Sequence, residues 1–255
     1  MSAITNEFQD QIIVITGGSS GIGLASAQAF INAGAKRIYI TGRSKTKLEQ
    51  AREILGNKVS PFAADVASIS DLQALHDKIA QQGDKIDVLF ANAGIANHNQ
   101  FGSTTEVEFA TTFDTNVKGL FFTVQSLLPL MKPASAIVLN ASIAASKGMP
   151  NLSLYNASKA AVRSFARSWA SDLKDRKIRV NTISPGVTRT PIMENGLGMK
   201  EEDIANFAAY LADAAPAGRM GRPEEIAAAV LFLASATASY VNGVELVADG
   251  GLIQV

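Results

Sequence analysis

The sequence predicts an α/β protein built as one doubly wound parallel sheet of about seven strands, with helices on both faces. Three observations carry that prediction. Short apolar runs alternate with helix-like segments from one end of the chain to the other. The runs are apolar at consecutive positions, which marks strands covered on both faces. No Pro/Gly/Ser-rich linker or compositional break divides the 255 residues, so residues 1–255 are expected to form a single domain.

The elements follow in order. Residues 12–16 read as a buried strand ending in glycines, and residues 21–33 as a helix closed by Gly34. Residues 37–41 are the second strand, followed by a helix over 45–55 that Gly56 ends. Residues 58–64 are the third strand, stopping at Asp65. A helix over 69–82 places Leu72, Leu75 and Ile79 three and four apart. Residues 86–91 form the fourth strand, halted at Asn92-Ala93-Gly94. Residues 106–131 are expected to be mostly one long helix, interrupted near Pro129. Residues 136–141 are the fifth strand, 153–174 a long helix, and 178–184 the sixth strand, which Pro185-Gly186 ends. Residues 192–215 hold helical pieces broken by Gly196 and Gly198. A helix over 223–234 has proline in its first turn, and 243–247 is the last strand.

Composition narrows the function. Lys and Arg number 23, as do Asp and Glu, and the isoelectric point is near 6.8. Such a balance, with no basic run, argues against a nucleic-acid partner. The absence of cysteine removes disulfides, thiolate zinc sites and a cysteine nucleophile, and it fits a reducing cytoplasm. Residues 1–11 carry Glu7 and Asp10 and no apolar run, so no signal peptide is expected there. The longest apolar stretch, 226–234, falls well short of the roughly 20 residues that cross a bilayer. His76 and His98 lack clustered carboxylates, so no metal site is expected.

Parallel doubly wound sheets bind ligands beyond the carboxyl ends of their strands. That rule puts Gly17 to Gly23, Asp65, Asn92 to Gly94, Ser142 and Pro185 to Thr190 along one rim. The first strand runs into Gly17-Gly18-Ser19-Ser20-Gly21-Ile22-Gly23 and then a helix. Missing side chains allow a tight turn and a close backbone approach to a pyrophosphate, and the helix start offers unpaired N–H groups. This is the signature of a Rossmann-like dinucleotide site. A carboxylate after the second strand usually holds the 2′-hydroxyl of NAD. Here Gly42 and Arg43 stand in its place, offering room and a planar cation suited to a 2′-phosphate, so the expected cofactor is NADP(H).

Tyr155 and Lys159 sit four apart near the start of a helix, which stacks them about 6 Å apart along its axis. A free tyrosine titrates near ~10. A neighbouring ammonium stabilises its phenolate and brings it toward a useful acid–base range. Alone, that spacing is as compatible with a surface pair.

Taken together, Thr16 to Gly23, Asn92-Ala93-Gly94, Asn116, Ser142, Tyr155-Asn156-Ala157-Ser158-Lys159 and Pro185-Gly186 resemble the short-chain dehydrogenase/reductase family in order and spacing. The resemblance runs from Ile12 to the Ala248-Asp249-Gly250-Gly251 ending. It is strongest to bacterial NADP-dependent secondary-alcohol dehydrogenases and carbonyl reductases of that family. It implies that Tyr155 exchanges a proton with the substrate oxygen and that Lys159 lowers its pKa and bonds the nicotinamide ribose. Ser142 would hold the substrate oxygen, and Asn116 would anchor a water relaying protons toward Lys159. Gly17, Ser19, Ser20, Gly21, Ile22 and Gly23 would cradle the pyrophosphate. Asn92, Ala93 and Gly94 would pass under the adenine-side ribose, with Asp65 and Val66 at the adenine. Pro185, Gly186, Thr188 and Thr190 would position the nicotinamide. A homotetramer is also implied. The chain departs from the family in having Ala91 where asparagine is frequent. Residues 95–98 do not match the family's acyl-carrier-protein ketoreductases.

Ile143, Leu152, Ile192 and Met193 suggest an apolar pocket for a ketone, aldehyde or alcohol. Residues 190–216 would form a lid, with Gly196 and Gly198 as hinges. His98 could border the pocket, whereas His76 reads as a surface histidine. Phe165, Trp169 and Leu173 recur every four residues, as either core packing or a subunit contact would require. Two alternatives share these residues: a 3-oxoacyl thioester reductase, and a nucleotide-binding regulator without catalysis.

Overall fold

The computed structural model describes residues 6–255, so the reading of the N-terminal segment lies partly outside the described residues. Seven strands form one sheet: β1 (Ile12–Thr16), β2 (Arg37–Gly42), β3 (Val59–Ala63), β4 (Ile86–Ala91), β5 (Met131–Asn140), β6 (Arg179–Pro185) and β7 (Glu245–Ala248). Their order is β3-β2-β1-β4-β5-β6-β7, and every neighbouring pair is parallel. The winding reverses between β1 and β4, where such sheets open a binding crevice.

The helices are α1 (Gly21–Asn32), α2 (Lys45–Leu55), α3 (Ile69–Gln81), α4 (Glu106–Phe113), α5 (Leu120–Leu127), α6 (Ser153–Asp172), α7 (Ile192–Asn195), α8 (Glu201–Ala214) and α9 (Pro223–Ala234). They cover both faces, which is why the strands read as unbroken apolar runs. Ile13, Ile15, Ile38 and Ile40 meet Phe30 of α1, Leu48 of α2 and Val230 of α9 on one side. Their sequence neighbours Ile12, Val14 and Tyr39 meet Leu75 of α3, Val124 of α5 and Val162 of α6 on the other. Each such side chain contributes about 1.5–3 kcal/mol by leaving water.

Several helices begin with their own side-chain cap. Ser44 accepts from Lys47 N, Ser68 from Asp71 N, and Thr105 with Glu108 forms a capping box. Neither Ser20 before α1 nor Leu152 before α6 makes such a bond. Both of these helix starts lie at the rim where the site forms.

The largest difference from expectation is at residues 106–131. The single helix is instead α4, a π-helical segment (Asp114–Gly119), α5 and a short 3₁₀ turn (Leu128–Leu130). Pro129 lacks the N–H that would continue the α-helix, so the break falls there as expected. Met131 already belongs to β5, five residues earlier than the sequence pattern indicated. That early part is polar, carries Pro133 and a left-handed Ala134 (φ 59°), and joins β4 through a register shift between Ile86 and Val88. Other boundaries move by one or two residues, as helix and strand ends do. Among the described residues, no helix is long and apolar enough to cross a membrane.

Candidate active site

A cleft of about 1230 Å³ opens at the carboxyl ends of the strands. Of the site residues expected from sequence, all line it except Gly23 and Asn116, which are buried behind its wall.

The glycine turn makes one end. Gly17 (φ 67°) and Gly21 (φ 52°) hold left-handed backbone that other residues adopt only at a cost. A Cβ on Gly23 would sit 2.2 Å from Gly17 O, so only glycine lets α1 close against the turn. The first turn of α1 has neither a side-chain cap nor an acidic residue. Its N–H groups are therefore available to an anion. This cradle fits a dinucleotide pyrophosphate. Thr190 closes over it, its side chain 3.3 Å from the Cβ position of Gly21.

The floor is knitted by side chains where the strands part. Thr16 Oγ1 accepts from both Asn92 N and Ala93 N at 3.0 Å. Asn92 Nδ2 donates to Thr16 O at 2.9 Å, and Asn92 Oδ1 accepts from Asn140 Nδ2 at 2.8 Å. At the adenosine end, Gly42 closes β2 and a Cβ there would lie 3.1 Å from Ser19 Oγ. Arg43 is exposed and shares the cleft wall with Lys47, one turn into α2. Asp65 Oδ1 accepts from Ala67 N at 2.9 Å, an Asx turn that leaves one carboxylate oxygen for a ligand.

Tyr155 and Lys159 stand on the first turns of α6. Lys159 is 4 % exposed. Its Nζ donates to Asn140 O at 2.8 Å and lies 5.7 Å from the centroid of the Tyr155 ring. Burial brings the amine down to about 8. Gly94 makes room for it: a Cβ there would be 3.3 Å from Lys159 Nζ. Ser142 caps the short turn Ile143–Ala145 by accepting from Ala144 N, and its side chain lies beside the Tyr155 hydroxyl.

The expectation that Lys159 acidifies Tyr155 needs correction for the chain by itself. Removal from water pushes the phenol up, and the neighbouring Ser142 side chain works against that rise. The Lys159 amine donates to the Asn140 carbonyl and lies 5.7 Å from the ring centroid.

A family model described as enoyl-(acyl carrier protein) reductase matches residues 17–253. The chain belongs to the short-chain dehydrogenase/reductase family. It is an oxidoreductase of that family, and its parallel seven-stranded sheet is the family's Rossmann architecture. An oxidoreductase of Sarocladium schorii is 40% identical, with 100% of each chain covered. An NADP-dependent (R)-specific alcohol dehydrogenase of Lentilactobacillus kefiri is 34% identical over 97% of this chain and 98% of that one. The crystal structure of a short-chain dehydrogenase/reductase (glucose/ribitol dehydrogenase) of Brucella melitensis superimposes with a TM-score of 0.91. It is 30% identical over 98% of this chain and 100% of that one.

Asn116 lies in the π-helical segment, a feature frequent at functional sites. Its side chain makes three bonds: Oδ1 accepts from Ile95 N at 2.8 Å, and Nδ2 donates to Ile95 O and Ser158 Oγ. It clamps the loop after β4, and its Oδ1, with one bond made, keeps a second lone pair on the side of Gly94 and Lys159. Gly196 also differs from expectation. A Cβ there would meet Ala96 O at 2.6 Å, so this glycine serves close packing, whereas Gly198 (φ 65°) is open on all sides. In α8, Leu211 is buried against Ile143 and Leu252. His98 and the four apolar residues expected in the pocket do line the cleft. His76 is bonded to Asp77 on the surface of α3. Trp169 stacks on Phe165 at 5.0 Å and meets Phe121 edge-on.

Sequence reasoning missed Lys47, Asn140 and Asn99. Lys47 had a usable signal, three positions after a serine at a helix start. Asn140 had another, one residue short of a predicted strand end. Asn99 had none, being one of three asparagines in an irregular loop.

Proposed function

We propose that the protein reversibly transfers a hydride between NADP(H) and a carbonyl or secondary alcohol, with Tyr155 as general acid–base. When bound, the cofactor supplies or accepts the hydride. The observation that carries the reading is the meeting of Tyr155, Ser142 and buried Lys159 in one cleft with the glycine cradle. Tyr155 holds the proton that the substrate oxygen receives in reduction, and Ser142 orients that oxygen. The Lys159 amine, at about 8, can pass a proton along at neutral to mildly alkaline pH.

Gly42, Arg43 and Lys47 support NADP(H) over NAD(H), since they put space and cations where a 2′-phosphate would lie. The NADP-dependent relative points the same way. Residues 190–216 serve as the lid, bending at Gly198 and anchored through Leu211. The assembly is a homotetramer in solution.

The test is an NADPH-oxidation screen over ketones and aldehydes, repeated with NADH. Tyr155→Phe should keep NADPH binding and lose about 10²–10⁴-fold in kcat. Retained activity in that variant, or an outright NADH preference, refutes the corresponding part. A second reading, reduction of a 3-oxoacyl thioester, is favoured by a 3-oxoacyl-[acyl-carrier-protein] reductase of Thermotoga maritima that is 34% identical over 96% of this chain and 98% of that one. Faster turnover of an acyl thioester than of a simple aryl ketone would select it.

A further inference from the structure

We propose that Asn99 is a positioning residue for catalysis: from the loop after β4 it supplies the N-terminal cap that α6 lacks. The proposal rests on the reading of Tyr155 as the acid–base group. Asn99 is 4 % exposed, although Asn97, His98 and Gln100 around it are exposed. Both of its amide hydrogens and its oxygen are engaged. Nδ2 donates to Thr104 Oγ1 at 2.9 Å and to Ser153 Oγ at 2.8 Å, and Oδ1 accepts from Leu154 N at 3.2 Å.

Ser153 and Leu154 are the first two residues of α6, and Tyr155 is the third. A helix start normally takes its acceptor from the residue before it. Leu152 occupies that position and has no oxygen in its side chain. The acceptor comes instead from 55 positions upstream. The backbone is arranged to match: Asn99 N donates to Asn151 O at 2.7 Å. Asn151 turns its carbonyl there through a left-handed conformation (φ 58°) that asparagine tolerates better than most residues.

Asn99 therefore ties two parts of the cleft at the very start of α6, one turn before the Asn116 link between Ile95 and Ser158. One is the loop carrying Asn97 and His98, which Asn116 pins at Ile95. The other is the turn of α6 that carries Tyr155. Ser142 sits on a third element, so the distance between the Ser142 and Tyr155 hydroxyls depends on where α6 begins. Displacements of about 1 Å among reacting groups can cost about a hundredfold in rate.

The experiment compares Asn99→Ala and Asn99→Asp in the full chain. A carboxylate keeps the acceptor for Leu154 N, suits the positive end of a helix, and can accept from the Ser153 and Thr104 hydroxyls once they rotate. In Asn99→Ala, the Leu154 amide should exchange with solvent about fivefold faster or more. Its kcat should fall about ten- to a hundredfold while KM for NADPH stays within about twofold. Asn99→Asp should restore both the protection and most of the turnover. Wild-type kcat in Asn99→Ala, or a folded Asn99→Asp as slow as Asn99→Ala, would overturn the positioning role. An unprotected Leu154 amide in the wild-type protein would overturn the cap itself. Full turnover in Tyr155→Phe would remove the function reading and the positioning role with it, while amide exchange would still decide the cap.

Discussion

Lys159→Met offers a quantitative test of how the site is built. The wild-type amine is 4 % exposed, and burial lowers it from 10.5 to about 8. The folded chain thus holds this proton less tightly than the unfolded chain does. Below about pH 8 the amine is charged in both states, and folding bears the full cost of a buried cation. The cost fades as pH rises from about 8 to 10.5, because the folded chain has then released a proton that the unfolded chain still binds. At about 1.36 kcal/mol per tenfold change in proton affinity, it is about 3 kcal/mol at pH 7. The hydrogen bond to Asn140 O offsets about 1.5–3 kcal/mol. Methionine removes the cation and the hydrogen bond together. Its stability at pH 7 should therefore fall within about 1 kcal/mol of wild type, despite the loss of a buried polar contact. Between pH 7 and pH 10 the variant should lose about 2–3 kcal/mol relative to wild type. Urea unfolding at pH 7, 8.5 and 10 measures this, with unchanged slopes confirming comparable unfolding. Stability curves that run parallel across that range would show that the amine is not held at a lowered pKa, and the argument from its burial would fail.

Two further outcomes follow from the same geometry. Gly42→Asp should weaken NADPH binding about ten- to a hundredfold and spare NADH, because its side chain would start 3.1 Å from Ser19 Oγ and set a carboxylate against a 2′-phosphate; fluorescence titration with both cofactors checks it, and an unchanged ratio counts against the assigned adenosine end. Tyr39 is buried, donates to Asp84 at 2.7 Å, and is pushed up to about 12, first by burial and then by that hydrogen bond. Its stabilisation is complete below pH 10 and lost as pH rises toward 12, so Tyr39→Phe should cost about 1–2 kcal/mol at pH 7 and overtake wild type near pH 12, measured by urea unfolding.

The sheet was legible because its strands are dry on both faces and its helices keep a 3.6-residue period. Ile86–Ala91 and Pro223–Ala234 fall where the pattern and their turn residues put them. The π-helical segment was not legible. Widening a helix by one residue leaves no periodic trace in six residues, and the close packing of Gly119 on the Val66 carbonyl, which leaves no room for a Cβ, is a tertiary contact that periodicity does not show. The early start of β5 was hidden for a related reason, since a polar, proline-bearing segment is drawn into the sheet by its neighbours. The rim residues could be listed from sequence because strand ends in such a sheet must lie together. Their electrostatics could not, because the direction in which Tyr155 shifts depends on how far water is excluded and on where the Lys159 amine points.

The hooks between Thr16, Asn92 and Asn140 bear on how the protein works through repeated cycles. Ladder pairing ends at the crevice, yet the Asn92 amide already has partners on two neighbouring strands before any dinucleotide arrives. Loading and unloading therefore leave the bed of the trough as it was, with no contact to rebuild and little order to gain.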